Sequence, residues 1–123
     1  MPKGEITHIE FPADDTDRAK RFYTAVAGWE FTEMDGMPGY FTFRTGEQTG
    51  GAVGRRGEST GEALRIYVTV DSMTDAIAAA EANGGSVVEQ PADIGGGMGT
   101  FAVVRDTEGT EIGLWQAAPD DAG

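Results

Sequence analysis

The stretch ITHIEFPADDTDRAKRFYTAVAG, Ile6–Gly28, decides the architecture, because the chain writes its plan twice. It opens with alternating apolar and polar residues, passes the acidic pair Asp14 and Asp15, and runs through an amphipathic segment that stops at a glycine. Arg65–Gly85, RIYVTVDSMTDAIAAAEANGG, follows the same plan. Asp14 and Asp71 lie 57 positions apart, and so do Gly28 and Gly85. Short strand-like runs separated by glycine-rich turns follow each copy. One such unit exposes an apolar sheet face that it cannot bury alone, so two units are expected to associate. A curved pair of sheets leaves a cleft, and clefts take small molecules.

The local reading is built outward from that repeat. In Ile6–Phe11 a period of two puts His8 and Glu10 on one face and Ile9 and Phe11 on the other. Pro12 is expected to end this strand. Asp15 or Thr16 suits a helix N-cap, and Asp17 suits the positive end of the helix. Ala19, Phe22, Tyr23 and Val26 form its apolar stripe, and Gly28 its stop; Phe22, Tyr23 and Trp29 are assigned to the core. Strands are expected over Trp29–Met34, Tyr40–Arg44 and Gly50–Gly54, the last weakened by its glycines. In the second copy Leu64–Val70 is a strand and Ser72 caps a helix carrying Met73, Ala76, Ile77 and Ala80 on its apolar face. Strands over Ser86–Glu89, Thr100–Arg105 and Glu111–Gln116 follow, with Pro91–Gly99 as a loop. The result is an α+β fold of two tandem βαβββ units forming a curved mixed-sheet cleft. Residues 1–123 are expected to form a single domain: unit one over 5–54, a connector over 55–63, unit two over 64–117 and a frayed tail over 118–123.

Composition narrows the chemistry. The chain has 123 residues, no cysteine and one histidine, His8. Disulfides, thiolate metal sites and cysteine nucleophiles are excluded, and so is any site needing two histidines from one chain. The net charge of −12 repels phosphate backbones and anionic membranes, so neither nucleic acid nor membrane is expected as a partner. That charge serves solubility or attracts a cationic ligand. The first residues lack the basic and apolar regions of a signal peptide, which makes a cytoplasmic location the expectation.

Several residues fall where chemistry is possible. His8 titrates near neutrality and suits a general base or a hydrogen-bonding donor, and a structural histidine is the plainer reading. Glu10 and Arg65 sit on related first strands, either as base and anion clamp or as a salt bridge. Tyr67 and Trp115 are aromatic walls for a ligand or simple core. Met98, in the glycine-rich Pro91–Gly99 loop, is a candidate flap residue. The Gly95–Gly97 run lacks the Lys-Ser/Thr ending and the helix of a phosphate-binding loop.

This ordered set resembles the vicinal oxygen chelate superfamily, the group of glyoxalase, bleomycin resistance proteins and extradiol dioxygenases. The carrying residues are Asp15, Arg18-Ala19, Phe22-Tyr23 and Gly28-Trp29, then Tyr67–Asp71, Gly84-Gly85 and Asp106–Gly109 with Glu111–Trp115. The resemblance implies a homodimer and four metal-ligand positions, on the first and last strand of each unit. Here those positions carry His8, Arg65, a residue within Gly50–Gly54 and Gly113. One side chain of the four can ligate a metal; a guanidinium cannot. Gly113, where such relatives carry a carboxylate, is expected to widen the cavity.

The expectation is therefore a small-molecule-binding protein needing no metal or other cofactor. His8 and Glu10 are the candidate catalytic residues, and Arg65, Tyr67, Met98, Gly113 and Trp115 the candidate ligand contacts. The alternative is a glyoxalase-like lyase or isomerase with a rearranged divalent-metal site on His8, Glu10 and Glu111. Glu111 lies roughly 6.6 Å along the strand from Gly113 on the same face. A third possibility is a scaffold that only binds a partner.

Overall fold

A computed structural model describes residues 3–47 and 49–119; residues 120–123 of the expected tail lie outside them. The chain divides into two compact units. The N-terminal unit is Thr7–Ile66, and the C-terminal unit joins the start of the chain, up to Ile6, to everything from Tyr67 onward.

The N-terminal unit runs β1 (Ile6–Ala13), α1 (Thr16–Ala27), β2 (Thr32–Glu33), β3 (Tyr40–Arg44) and β4 (Gly50–Arg55). β4 is central, antiparallel to β3 and parallel to β1, and β2 adds to the outside of β3. The C-terminal unit takes β5 (Arg65–Thr69) from Tyr67 on, then α2 (Met73–Ala82), β6 (Ser86–Asp93), β7 (Thr100–Arg105) and β8 (Glu111–Gln116). Its last strand is likewise parallel to its first and antiparallel to the strand before, with β6 outside β7. The tandem repeat is thus a repeat of topology, and each unit's sheet is mixed.

Caps start the helices as expected. Asp15 is extended at φ −132° and accepts the Arg18 N–H at 3.0 Å. Ser72 does the same for Asp75 at 3.2 Å. Gly28, at φ +74°, closes α1 in the left-handed conformation that glycine tolerates.

Packing follows the predicted phase. In the N-terminal unit Phe11 meets Tyr23, Trp29 and Phe43, and Trp29 stacks on Phe43 at 4.1 Å between centroids. In the C-terminal unit Met73, Ala102, Val104 and Leu114 form the core, joined by Val70, Ala76, Ile77, Ala80 and Ile112.

Four local expectations are corrected. β1 continues through Pro12 to Ala13. The Ala13 carbonyl accepts the Arg56 N–H, so strand alternation turns the missing N–H of Pro12 away from β4. β6 extends through Pro91 to Asp93 as an outer strand whose pairing slips between Glu89 and Ala92, leaving Pro91 without a ladder partner. β2 is only Thr32–Glu33; before it, the Trp29 carbonyl accepts from the Thr24 hydroxyl. Phe22 and Val26 are 58% and 69% exposed, not core. α1 instead turns Ala19, Lys20 and Tyr23 inward, the Lys20 ammonium lying 3.4 Å from the Phe41 ring centroid.

Candidate functional site

In the N-terminal unit the register of β1 on β4 pairs His8 with Gly50, Glu10 with Ala52 and Pro12 with Gly54. β4 therefore offers only glycine and alanine on the face that carries His8 and Glu10. Tyr40, on the far side of β4, pairs with Gly54 and shares that face. A Cβ at Gly54 would stand 3.1 Å from the Tyr40 ring. The bare strand lets the phenol reach across to β1. Its hydroxyl donates to Glu10 Oε2 at 2.6 Å and lies 2.7 Å from His8 Nε2. His8 and Glu10 are themselves 4.0 Å apart, joined through the phenol.

Hydrogen counting sets the roles. A phenol has one proton, and Tyr40 spends it on Glu10, so its oxygen accepts from His8. His8 then carries its proton on Nε2 and its lone pair on Nδ1. The ring is neutral at pH 7, because burial pushes its pKa down to about 4. Its side chain keeps 31% of its surface, so it is reachable as well as desolvated. Glu10 and Tyr40 are buried, at 9% and 4% exposure. A dry carboxylate held by a phenol can accept a hydrogen bond from a ligand or take a proton.

Tyr40 is absent from the residues that the sequence nominates. Its signal lies in Ala52 and Gly54: two small residues on a strand between two others clear the path for a long side chain.

The other candidates fall into different environments. Arg65 is buried, and its Nη2 lies 2.7 Å from where a Cβ on Gly61 would stand. In the C-terminal unit Tyr67 pairs with Gly113 across β5 and β8. A Cβ on Gly113 would overlap the Tyr67 ring. The expected widening at Gly113 is thus corrected: the ring of Tyr67 occupies that space. The Trp115 indole N–H donates to the Met98 carbonyl at 2.8 Å, so Trp115 ties down the loop that carries the exposed Met98 side chain. A depression of about 360 Å³ lined by Pro38, Gly39, Arg55, Glu58 and Ser59 contains none of these residues.

The donor set does not fit a divalent metal. Six-coordinate ions want several oxygen or nitrogen ligands in fixed geometry. His8 Nε2 and Glu10 are both engaged by Tyr40, Gly113 is covered by a ring, and Glu111 pairs with Arg105 at 2.9 Å. Among the described residues no three His, Asp or Glu side chains gather into a metal-holding group. No helix among the described residues is long and apolar enough to cross a membrane.

Comparison with known proteins points one way. Residues 5–114 match the Glyoxalase/Bleomycin resistance protein/Dioxygenase superfamily. A glyoxylase-like domain-containing protein of Didymella fabae is 30% identical over 113 residues, covering 86% of this chain and 88% of that one. A Mycobacterium tuberculosis protein named as a glyoxylase, CFP32, is 31% identical over 119 residues, covering 94% of this chain. The match spans only 45% of that longer relative. Among solved structures, a hypothetical protein of Bacillus halodurans superimposes with a TM-score of 0.74 at 13% identity, over 99% of this chain and 100% of that one.

Proposed function

This chain belongs to the glyoxalase/bleomycin resistance protein/dioxygenase superfamily, and from that premise we propose that it binds a small organic molecule without a metal, at the face bearing His8, Glu10 and Tyr40. The observation that carries the reading is the phenol bridge, which uses the imidazole Nε2 and the carboxylate as hydrogen-bonding groups rather than as metal donors. Arg65, Tyr67, Met98 and Trp115 are the further ligand contacts proposed, and the working form is a pair of identical chains.

Two measurements test this. Protein from a metal-replete culture is analysed for bound elements, and its melting temperature is screened against a panel of small organic molecules. The reading expects no stoichiometric ion, and at least one compound that stabilises the native chain but not the Tyr40→Phe or His8→Ala variants. Stoichiometric nickel, zinc, iron or manganese that disappears in His8→Ala defeats it.

A second reading is favoured by the short Tyr40–Glu10 bond. In it Glu10 is a base that removes a proton next to a carbonyl, in a lyase or isomerase reaction. It expects deuterium from solvent at that carbon of a bound carbonyl compound, and none with Glu10→Gln.

A further inference from the structure

The phenol bridge depends on where the backbone places Tyr40. The hydroxyl stands at the far end of a long side chain, so a small tilt at Cα is magnified there. Tyr40 is also the first residue of β3, and strand ends open before strand middles. The turn between β2 and β3 is what fixes that end. The Tyr40 N–H donates to the Met37 carbonyl at 3.2 Å, and the Tyr40 carbonyl accepts the Met34 N–H at 2.9 Å.

Side chains grip the residue before it. Gly39 is at φ +80°, and glycine leaves that conformation as readily as it enters it, so the peptide does not hold itself. Glu33 lies on β2 opposite Phe41 with an exposed side chain. Its Oε2 accepts the Gly39 N–H at 3.0 Å and so ties together the two stems of the turn. The Ser59 hydroxyl accepts the Arg55 N–H at 2.8 Å and donates to the Gly39 carbonyl at 3.4 Å. The bond from Glu33 is shorter and charge-assisted, so it is the stronger hold on Gly39. Gly39 also lines the depression of about 360 Å³ with Pro38, Arg55, Glu58 and Ser59, which gives a released peptide room to move.

We propose that Glu33 is a positioning residue for the site of His8, Glu10 and Tyr40: its bond to Gly39 sets the end of β3 from which the phenol reaches the carboxylate and the imidazole. It acts through the backbone that carries Tyr40, not by contact with a ligand. This rests on the site proposed above and adds the group that fixes its bridge.

Because His8 is the single histidine, heteronuclear NMR of its two ring nitrogens near neutrality tests this in the full chain, with circular dichroism as the check on folding. The native chain should carry the proton on Nε2, shared with the phenol oxygen, and Tyr40→Phe should lose that preference. Glu33→Ala should raise the share of the Nδ1-protonated ring several-fold, up to the ~tenfold that one hydrogen bond is worth. Glu33→Gln should keep the native signal, because its amide oxygen still accepts the Gly39 N–H. The readout needs no ligand, so it and the compound screen fail separately. A native ring without the Nε2 proton overturns the bridge and this role with it. A native signal that survives Glu33→Ala leaves the bridge and overturns the positioning, as does a signal lost equally in Glu33→Gln.

Discussion

The two units share one backbone plan and place opposite chemistry on it. His8 and Arg65 are 57 positions apart, and so are Glu10 and Tyr67. In the N-terminal unit the first strand faces a neighbour bare of side chains, and a phenol crosses that gap to join an imidazole to a carboxylate. In the C-terminal unit the bare position, Gly113, is covered by the ring of the residue paired with it. Glycine thus makes room in both, and what fills the room separates a polar site from a packed surface. Duplication fixes the strands; the side chain that crosses the glycine fixes the chemistry.

The largest expected effect tests the packed side of that contrast. Gly113→Ala puts a methyl group into the space of the Tyr67 ring. Overpacking of this kind costs about 3 kcal/mol, because the ring must leave its place. Urea unfolding measures it, and Gly113→Ala should cost less in a Tyr67→Ser background than in the native chain. If the cost is the same in both backgrounds, the ring is not what fills the space. In the polar unit, Tyr40→Phe leaves the packing volume and removes the shared hydroxyl. The same measurement should show a loss of roughly 1–3 kcal/mol, since a buried acceptor on Glu10 loses its donor.

These positions show how much the sequence discloses. The phase of β1 is legible because Ile9 and Phe11 alternate with His8 and Glu10, and only one phase buries the aromatics. Both helix starts are legible because Asp15 and Ser72 act on their own neighbours. Pro12 and Pro91 mislead as strand ends for a physical reason: a missing N–H matters only where a strand would receive it. Phe22 misleads because a helix's apolar stripe is wider than the line that touches the sheet, and Lys20 takes the inward place. Tyr40 and Gly113 are hidden more deeply. Their meaning depends on a residue in another strand, distant in sequence, and register is not written in either segment.

The single histidine gives a cleaner test of the polar unit. A ring whose pKa falls from about 6.5 unfolded to about 4 folded binds its proton more readily when unfolded. Its neutral burial therefore supports the fold fully above pH 6.5, and that support drains as the pH falls from 6.5 towards 4. Allowing for the ring's partial exposure, the loss attributable to His8 between pH 7 and 5 should be of order 1–2 kcal/mol. Urea unfolding of the native chain and His8→Gln at both pH values isolates it. Equal pH slopes in the two proteins would remove the burial argument, and with it the neutral ring.

The smallest effect separates the two helix caps. Ser72 cannot titrate, so Ser72→Ala should cost about 1 kcal/mol at pH 7 and at acid pH alike. Asp15 caps through a carboxylate held below its usual range, chiefly by the Arg18 N–H and then by the Arg18 and Arg21 charges. Its contribution is present above the ordinary carboxylate range and is lost as the pH falls through the lowered value. Asp15→Ser should keep α1 capped near neutrality and remove that acid dependence. Hydrogen exchange of the first-turn amides of α1 and α2 reads the two caps in one sample. If the α1 amides lose protection in acid equally in the native chain and in the Asp15→Ser variant, the cap is not the group that titrates.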